Sequence, residues 1–170
     1  MNRPISKEAL ELIRHFEGFY PKPYLCPAGV ATIGIGTVAY ENGKKVSLKD
    51  SPITIERAEE LLAFELSEKA DTIARFLLRN SIILSEQQYS SLVSFAYNCG
   101  CGAIIDSGRT LGSAIRKKNL KSIAEAFLVY NKATVKKMGI KFRIPLAGLT
   151  RRREAERYLF LNGSNNFFEA

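Results

Sequence analysis

Residues 17–36 read EGFYPKPYLCPAGVATIGIG, and two different structural patterns meet in this segment. Before it, apolar residues recur at helical spacing after a polar start, which predicts a short amphipathic helix over residues 5–16. Pro21 and Pro23, the first two of its three prolines, prevent that helix from continuing. Glu17 and Gly18 therefore stand where a helix gives way to extended chain.

Strand and helix patterns follow the segment. Residues 30–46 combine β-branched residues with an Asn-Gly turn signal, which predicts a small antiparallel sheet. Thr54 is a plausible N-cap, and apolar residues at three- and four-residue steps then predict one long helix over 54–79. The capping-box pattern at residues 85–88 opens a strongly apolar helix, which is the expected core of a second lobe.

The remaining chain completes an α+β prediction. Because residues 132–147 are basic and contain Gly139 and Pro145, we expect them to be irregular. Three further helices are predicted at about residues 109–117, 120–131 and 149–161. The fold class is a small antiparallel sheet lobe (about 17–52), joined by a long helix (54–79) to a mainly helical lobe (80–162 with the N-terminal helix 5–16). We expect a single domain over residues 1–170, with its ligand cleft between the lobes.

The charge is unevenly distributed. The net charge of the chain is +8, and residues 109–157 carry 14 Lys or Arg against 3 Asp or Glu. Such asymmetry is typical of proteins with a polyanionic partner such as nucleic acid, an anionic membrane surface or an acidic cell-wall polymer. A solvated basic face without a partner is the alternative interpretation.

Cysteine usage and the N-terminal sequence bear on the compartment. The three cysteines, Cys26, Cys99 and Cys101, are an odd number, which argues against a disulfide framework and fits a reducing compartment. The Cys99–Cys101 pair has no second pair of ligands at zinc spacing, so we expect no metal and no cofactor. The N-terminus has no apolar run of signal-peptide length, and synthesis in the cytoplasm is expected.

Three motifs in the chain occur in a fixed order. Eight residues separate Glu17 from Cys26, and five more lead to Thr32, which opens a Thr-x-Gly-x-Gly strand. Farther on, residues 95–100 read FAYNCG and residues 148–157 read GLTRRREAER. Together these motifs resemble the signature of the phage-type lysozymes, the endolysins of glycoside hydrolase family 24. The resemblance implies a lysozyme-like fold.

The resemblance also implies roles for the three spaced residues. Glu17 would be the general acid that protonates the glycosidic oxygen, and its aromatic neighbours fit a carboxyl that keeps its proton. Cys26 would take the place of the second catalytic group, often Asp in the family, and would position or activate water. Thr32 would hold that water. The family mechanism is inverting.

Further residues are candidates for supporting roles. The resemblance implies that an arginine of the C-terminal helix, Arg151, holds the catalytic Glu17. Tyr24, Tyr97 and Asn98 are candidates for sugar binding, although tyrosines at helical spacing are more often core and Asn98 could be a helix cap. Many family members carry a His where this chain has Thr37. The only histidine, His15, is interpreted as structural.

Two classes of function remain open at this stage. The first is a muramidase that hydrolyses the β-1,4 bond between N-acetylmuramic acid and N-acetylglucosamine in bacterial peptidoglycan. The second is a binding module, either a non-hydrolytic glycan-binding protein or a basic nucleic-acid-binding module. No nucleic-acid-binding motif supports the latter, and no specific nucleic acid is expected. The expected partner is peptidoglycan, reached by a monomeric protein that a holin-type membrane protein releases to the periplasmic wall.

Overall fold

The structure is a computed structural model that describes residues 3–26, 29–137 and 140–168. The chain divides into two compact units. The sheet unit is the continuous segment Ile13–Glu68, and the helical unit combines Met1–Leu12 with Lys69–Ala170. Within the described ranges, no helix has the length and apolar character that crossing a bilayer requires.

Helices and two small antiparallel sheets make up the fold, which confirms the α+β prediction. In chain order the elements are α1 (Lys7–Glu17), β1 (Tyr20–Leu25), β2 (Ala31–Gly34), α2 (Ile55–Arg79), α3 (Glu86–Cys99), α4 (Gly102–Ile105), α5 (Thr110–Arg116), α6 (Leu120–Phe127), a 3-10 turn (Leu128–Tyr130), β3 (Lys132–Lys137), β4 (Ile140–Pro145) and α7 (Ala147–Asn162). The helices predicted from periodicity are all present with small shifts of their ends. The short helix α4 was not predicted.

The sheet of the sheet unit pairs β1 with β2. Tyr24 lies opposite Thr32 and Tyr20 opposite Gly34, with an irregular register between these pairs. The prolines of β1 explain the irregularity, because a proline has no N–H to donate to the ladder. The carbonyl of Pro21 instead accepts a hydrogen bond from Ile53 N at 2.9 Å.

A tight turn ends β2 and explains the Thr-x-Gly-x-Gly pattern. Ile33 and Thr37 exchange backbone hydrogen bonds of 2.9 and 3.0 Å across the turn. Gly34 has φ +67°, where a side chain is strained, and a Cβ there would lie 3.0 Å from the Cβ of Ala58. Glycine at this position therefore lets the strand reverse while it packs against α2.

The local signals for the turn and helix ends are confirmed. Gly43 of the Asn-Gly turn has φ +79°, and Tyr40 N donates to the Lys44 carbonyl across it at 2.9 Å. The Oγ1 of Thr54 accepts from Arg57 N at 3.3 Å at the start of α2. At α3, Ser85 and Gln88 form the predicted capping box.

The core of the helical unit surrounds α3. Residues 89–96 of this helix are all buried. Phe95 makes an edge contact with Phe127, with ring centroids 5.5 Å apart, and Phe127 contacts Phe160 of α7 at 5.8 Å. The predicted position of α3 at the centre of this core is thus confirmed.

The prediction of irregular chain over residues 132–147 is wrong. This segment forms an antiparallel hairpin of β3 and β4, in which Thr134 lies opposite Arg143 and Lys132 opposite Pro145. Residues 140–144 read IKFRI, an alternation typical of a strand, but the basic composition with Gly139 and Pro145 led to the prediction of irregular chain. Pro145 ends β4 on the edge of a two-stranded sheet, where a missing N–H is tolerated. Gly139 lies outside the described residues.

Candidate active site

Glu17 is the last residue of α1. Gly18 follows with φ +72°, and its N–H donates to the Arg14 carbonyl at 3.0 Å. A glycine in the left-handed conformation is the usual way to end a helix. The helix therefore presents the half-buried Glu17 side chain immediately before the chain turns into β1.

Cys26 and Thr32 are joined through one carbonyl group. The backbone N–H of Cys26 and the Oγ1 hydroxyl of Thr32 both donate to the carbonyl oxygen of Val30, each at 3.0 Å. Thr32 is only 3% exposed. A threonine hydroxyl has one proton to donate and two lone pairs that accept. Because its proton is directed at Val30, the Thr32 oxygen is left to act as an acceptor.

Tyr24 connects this pair electrostatically with Glu17. Burial raises the pKa of Tyr24, and Tyr20, Cys26 and Glu17 raise it further because a phenolate would be repelled by their negative forms. Tyr24 lies opposite Thr32 in the ladder of β1 and β2, and Cys26 shares the Val30 carbonyl with Thr32. The structure therefore brings Tyr24, Cys26 and Thr32 together, and Glu17 belongs to the same unit.

An aromatic surface flanks these groups. The rings of Tyr20 and Tyr24 have centroids 4.6 Å apart and are tilted by 41°. Tyr20 is 49% exposed. Exposed aromatic faces of this kind can contact the apolar faces of a ligand. Sequence reasoning named Tyr24 and missed Tyr20, although the i, i+4 spacing on β1 is visible in the sequence.

Thr37 lies in the turn after β2. Its side chain is buried, and its Oγ1 has no hydrogen-bond partner among the described residues. A buried hydroxyl without a partner is destabilising. The role of Thr37 in this turn comes from its backbone, which pairs with that of Ile33.

Three of the predicted site residues belong to the helical unit. Tyr97 is half-buried, and the Lys69 ammonium lies 5.6 Å from the centroid of its ring. Asn98 is exposed at the end of α3, and its Oδ1 lies 3.6 Å from Cys99 Sγ. Arg151 is half-buried in α7. The pairing of Arg151 with Glu17 stays a prediction.

A buried cluster of charges on α7 escaped sequence reasoning. Arg152, Arg153 and Glu156 are at most 4% exposed. We call these three residues with Ser94 the α7 charge cluster. Ser94 Oγ and Arg153 Nη2 each donate to Glu156 Oε1 at 3.0 Å, and Arg152 Nε donates to it at 3.3 Å. The spacing of Arg152, Arg153 and Glu156 on one helix was a signal that could have revealed the cluster.

Further contacts hold Arg153 in the cluster. Its Nε lies 2.8 Å from Glu156 Oε2, a charge contact without the alignment of a hydrogen bond. Its Nη1 donates to Cys99 Sγ at 2.7 Å, and its guanidinium lies 5.0 Å from the centroid of the Phe95 ring. Burial raises the pKa of the Cys99 thiol, while Arg153 opposes that shift. The buried Arg153 is therefore held by polar, ionic and aromatic partners.

Comparisons with known proteins identify the family. The phage lysozyme family model matches residues 14–156. The chain is 34% identical to the endolysin of Bacillus phage B103 over 95% of its own length and 55% of that protein, and 32% identical to the endolysin of Salmonella phage P22 over 93% and 98%. The solved endolysin of Escherichia coli O157:H7 phage FAHEc1 superposes with a TM-score of 0.79 at 30% identity, covering 96% of both chains.

The fold and these similarities define a glycoside hydrolase that degrades peptidoglycan. The chain belongs to the phage lysozyme family. It spans nearly the whole of the P22 endolysin and about half the length of the B103 endolysin. Membership of this family, first indicated by the spacing of Glu17, Cys26 and Thr32, is thus confirmed.

Proposed function

We propose that this protein is a muramidase that cleaves the β-1,4 bond from N-acetylmuramic acid to N-acetylglucosamine, with Glu17 as general acid. The observation that supports the proposal is the grouping of Tyr24, Cys26 and Thr32 around β1 and β2, in the same unit as Glu17 at the end of α1. A carboxyl group beside a water-binding pair is the arrangement that inverting glycoside hydrolysis needs.

In the first part of the reaction, the Glu17 carboxyl donates its proton to the glycosidic oxygen as the bond from that oxygen to C1 breaks. The oxygen leaves as the free hydroxyl of N-acetylglucosamine, and positive charge develops at C1 of N-acetylmuramic acid. The ending of α1 at Gly18 supports this role, because it holds the acid on a rigid helix. General acids of this kind contribute typically about 10²–10⁴-fold to the rate.

In the second part, a water attacks C1 from the opposite face, so that the sugar configuration inverts. The Thr32 hydroxyl donates to Val30, and it can therefore accept a hydrogen from that water and direct a water lone pair at C1. The backbone N–H of Cys26 donates to the same Val30 carbonyl. We propose that its thiol orients the same water. That water keeps one proton in the new C1–OH group and passes the other to the solvent, from which Glu17 regains its proton.

Further residues are proposed to bind the substrate or to support the acid. The neighbouring rings of Tyr20 and Tyr24 support a contact with a sugar face in the sheet unit. Tyr97 and Asn98 at the end of α3 are proposed to contact the glycan as well, and Arg151 to hold Glu17. The buried Arg152 and Arg153 both donate to Glu156, which supports a structural role for the α7 charge cluster.

The test is to digest purified peptidoglycan and to identify the new chain ends by mass spectrometry after borohydride reduction. A muramidase yields reduced N-acetylmuramic acid ends. Reduced N-acetylglucosamine ends would indicate a glucosaminidase, and 1,6-anhydro ends would indicate transglycosylation without water. Either of those products, or binding of the polymer without cleavage, would overturn the proposal.

Two variants assign the acid in the same assay. Glu17→Gln keeps the shape of the side chain but has no proton of suitable acidity, so we expect the rate to fall by about 10²–10⁴-fold. Glu11→Gln is the matched control, because Glu11 lies on the same helix and is exposed, with a 3.7 Å contact to Lys7 and a 3.4 Å hydrogen bond from Asn165 Nδ2. A full rate for Glu17→Gln would remove this residue from the mechanism.

Release to the wall is proposed to depend on a holin-type membrane lesion, with the protein acting as a monomer after synthesis in the host cytoplasm. The similarity to proteins named endolysins supports this route, although the relatives from phages HP1 and P1 are named SAR-endolysins. Expression in a bacterial host with and without a holin tests it. We expect lysis only with the holin, and prompt lysis without one would contradict the route.

A further inference from the structure

The turn that joins α2 to α3 carries an isoleucine that lies almost entirely in solvent. Ile83 is 95% exposed, whereas its neighbours Ile82 and Leu84 are 8% and 6% exposed. Burial alternates along this turn, so the two neighbours pack into the core and Ile83 is directed away from it. A single exposed apolar side chain is common on protein surfaces. The surroundings of Ile83 therefore decide whether this one has a role.

A second exposed apolar side chain lies beside Ile83. Leu120, the first residue of α6, is 45% exposed, and it lines an open cavity of about 220 Å³ together with Ile83. The other lining residues are Ser81, Ile82, Leu84, Lys118 and Ile123. We call Ile83, Leu120 and this cavity the apolar patch, which belongs entirely to the helical unit. Apolar surface that is both contiguous and exposed is typical of an interaction site.

Both turns that form the patch follow a helix and contain a residue in the left-handed conformation. Ser81 has φ +51° after α2, and Lys118 has φ +55° after α5. The N–H of Ile82 donates to the Leu77 carbonyl at 2.9 Å. The N–H of Lys118 donates to the Ile115 carbonyl at the same distance. Glycine is the usual residue in this conformation, and a side chain there is strained. Because strained backbone is kept where the surrounding structure fixes it, the two turns present the patch in a fixed geometry.

Three exposed lysines border the apolar patch: Lys117, Lys118 and Lys121. Lys118 lines the cavity of the patch, and the other two line a second cavity formed by α5 and α6. Among the residues that the structure describes, none of the three has a carboxylate partner. Of the described residues that line either cavity, Glu125 is the one carboxylate, and it pairs with Arg157 at 2.6 Å. The patch is therefore bordered by positive charge.

We propose that the apolar patch binds the surface of a bilayer that contains anionic phospholipids. Side chains such as Ile83 and Leu120 gain free energy when they leave water for the interfacial region of a bilayer. Lysines beside them are attracted to the anionic headgroups. This inference goes beyond the proposed muramidase function and does not depend on it.

The charge and the exposed apolar side chains together favour a membrane over two other occupants. A second copy of the chain, facing the first patch to patch, would bring the same three lysines together, and like charges across an interface oppose association. A nucleic acid would meet the lysines through its phosphates but would leave Ile83 and Leu120 in water. An anionic bilayer offers negative charge at its surface and apolar chains beneath it. It is the occupant that matches both properties of the patch.

Cosedimentation with lipid vesicles tests the proposal. The full chain is mixed with vesicles of equal parts phosphatidylglycerol and phosphatidylcholine, and separately with vesicles of phosphatidylcholine alone. We expect wild type to bind the anionic vesicles at least about tenfold more strongly. Ile83→Ser should weaken that binding by about tenfold, because it removes an apolar contact. Lys118→Gln/Lys121→Gln should weaken it by at least about tenfold, because each lysine near the headgroups contributes.

The matched control is Lys45→Gln/Lys49→Gln, which removes the same charge from exposed lysines of the sheet unit. An equal loss for both double variants would show general attraction of a basic protein to an anionic surface and would overturn the proposal. Full binding by Ile83→Ser would also overturn it, because charge alone would then account for the binding. Wild type that pellets with neither type of vesicle would refute the membrane contact. A dimer in light scattering that Ile83→Ser dissociates would assign the patch to self-association instead.

A fluorescent probe locates the contact on the protein. The chain contains no tryptophan, so Ile83→Trp introduces a single probe on the patch. We expect its emission to shift to shorter wavelength with the anionic vesicles and to stay unchanged with phosphatidylcholine alone. Val38→Trp is the control, at a position of the sheet unit that is 43% exposed, and its emission should stay that of a probe in water. Equal shifts at the two positions, or no shift for Ile83→Trp, would contradict the proposed surface.

Discussion

The sheet unit and the α7 charge cluster use polar residues in opposite ways. Glu17 and Cys26 are half-buried beside strands that turn tightly, and Thr32 holds its proton on a backbone carbonyl. In the cluster, Arg153 and Glu156 are fully buried, and Arg153 donates to Glu156. Ser94 also donates to Glu156, and Arg153 also donates to Cys99. The difference teaches that charge alone does not mark a catalytic site. Buried charges that satisfy one another stabilise a fold, whereas chemistry needs groups that a substrate can reach.

The largest expected effect on stability is at the α7 charge cluster. Glu156→Gln leaves Arg153 buried beside a neutral amide and removes the carboxylate to which Arg152 also donates. Breaking a buried pair from one side typically costs about 3–5 kcal/mol, which corresponds to a fall in Tm on the order of 10 °C for a chain of this size. Thermal unfolding followed by circular dichroism measures the change.

Glu154→Gln provides the control for that variant, because Glu154 is a partly exposed neighbour on the same helix. A surface substitution of this type should change the free energy of unfolding by about 0.5 kcal/mol or less. If both variants melted together with wild type, the cluster would contribute nothing to stability and the contrast between the two regions would fail.

A smaller effect is expected on activity at Cys26. Cys26→Ala removes a group that orients water without removing the acid, so we expect kcat to fall by about tenfold to a hundredfold, or about 1.4–2.7 kcal/mol of barrier. Cys26→Asp should keep activity, since a carboxylate also orients water. Cys101→Ala, at a half-buried cysteine of the helical unit, is the control. Full activity of Cys26→Ala would exclude the thiol from the mechanism.

Thr37→Val tests an unpaired group in the sheet unit. The substitution removes a buried hydroxyl without a partner among the described residues and keeps the branched shape of the side chain. We expect the free energy of unfolding to rise by about 1 kcal/mol, with unchanged activity. Urea denaturation measures it, and a loss of stability would mean that the hydroxyl has a native partner.

The smallest effect is a pH dependence at Asp50. Hydrogen bonds from Ser47 N at 2.8 Å and Tyr40 Oη at 2.9 Å hold the pKa of Asp50 below its usual range. A carboxyl with a lowered pKa in the folded state stabilises the fold above its unfolded pKa, and this contribution disappears as pH falls through the folded pKa. Wild type should therefore exceed Asp50→Asn in Tm at pH 7, with a gap that closes below about pH 4. A constant gap would contradict this sign.

The features predicted correctly from the sequence are those encoded locally. Ser85 and Gln88 cap α3 with side chains three residues apart, and Thr54 does the same for α2. The predicted change from a helix to extended chain at Glu17 also holds, since α1 ends at Glu17 and β1 begins at Tyr20. Short-range hydrogen bonds and helical periodicity do not depend on the rest of the fold.

The features that were missed depend on distant partners. The surroundings of the buried Arg153 come from distant parts of the chain. Arg153 donates to Cys99, 54 residues away, and Ser94 donates to Glu156, 62 residues away. One missed feature is local. Cys26 N and Thr32 Oγ1 both donate to the Val30 carbonyl, and this shared acceptor depends on the path of the strands, which residue spacing alone does not give. In the hairpin, the alternation of residues 140–144 (IKFRI) was a local strand signal, but Gly139 and Pro145 outweighed it in the prediction, and only the pairing of Thr134 with Arg143 shows the two strands.

The most direct test of the contrast measures lytic rate and Tm for Glu17→Gln and Glu156→Gln in one experiment. We predict that Glu17→Gln loses about 10²–10⁴-fold in the release of muramic acid ends while its Tm stays near that of wild type. Glu156→Gln should lose on the order of 10 °C in Tm and keep its rate per folded molecule. An active Glu17→Gln, or a Glu17→Gln that is inactive only because it is unfolded, would contradict the assignment of Glu17 as the catalytic acid.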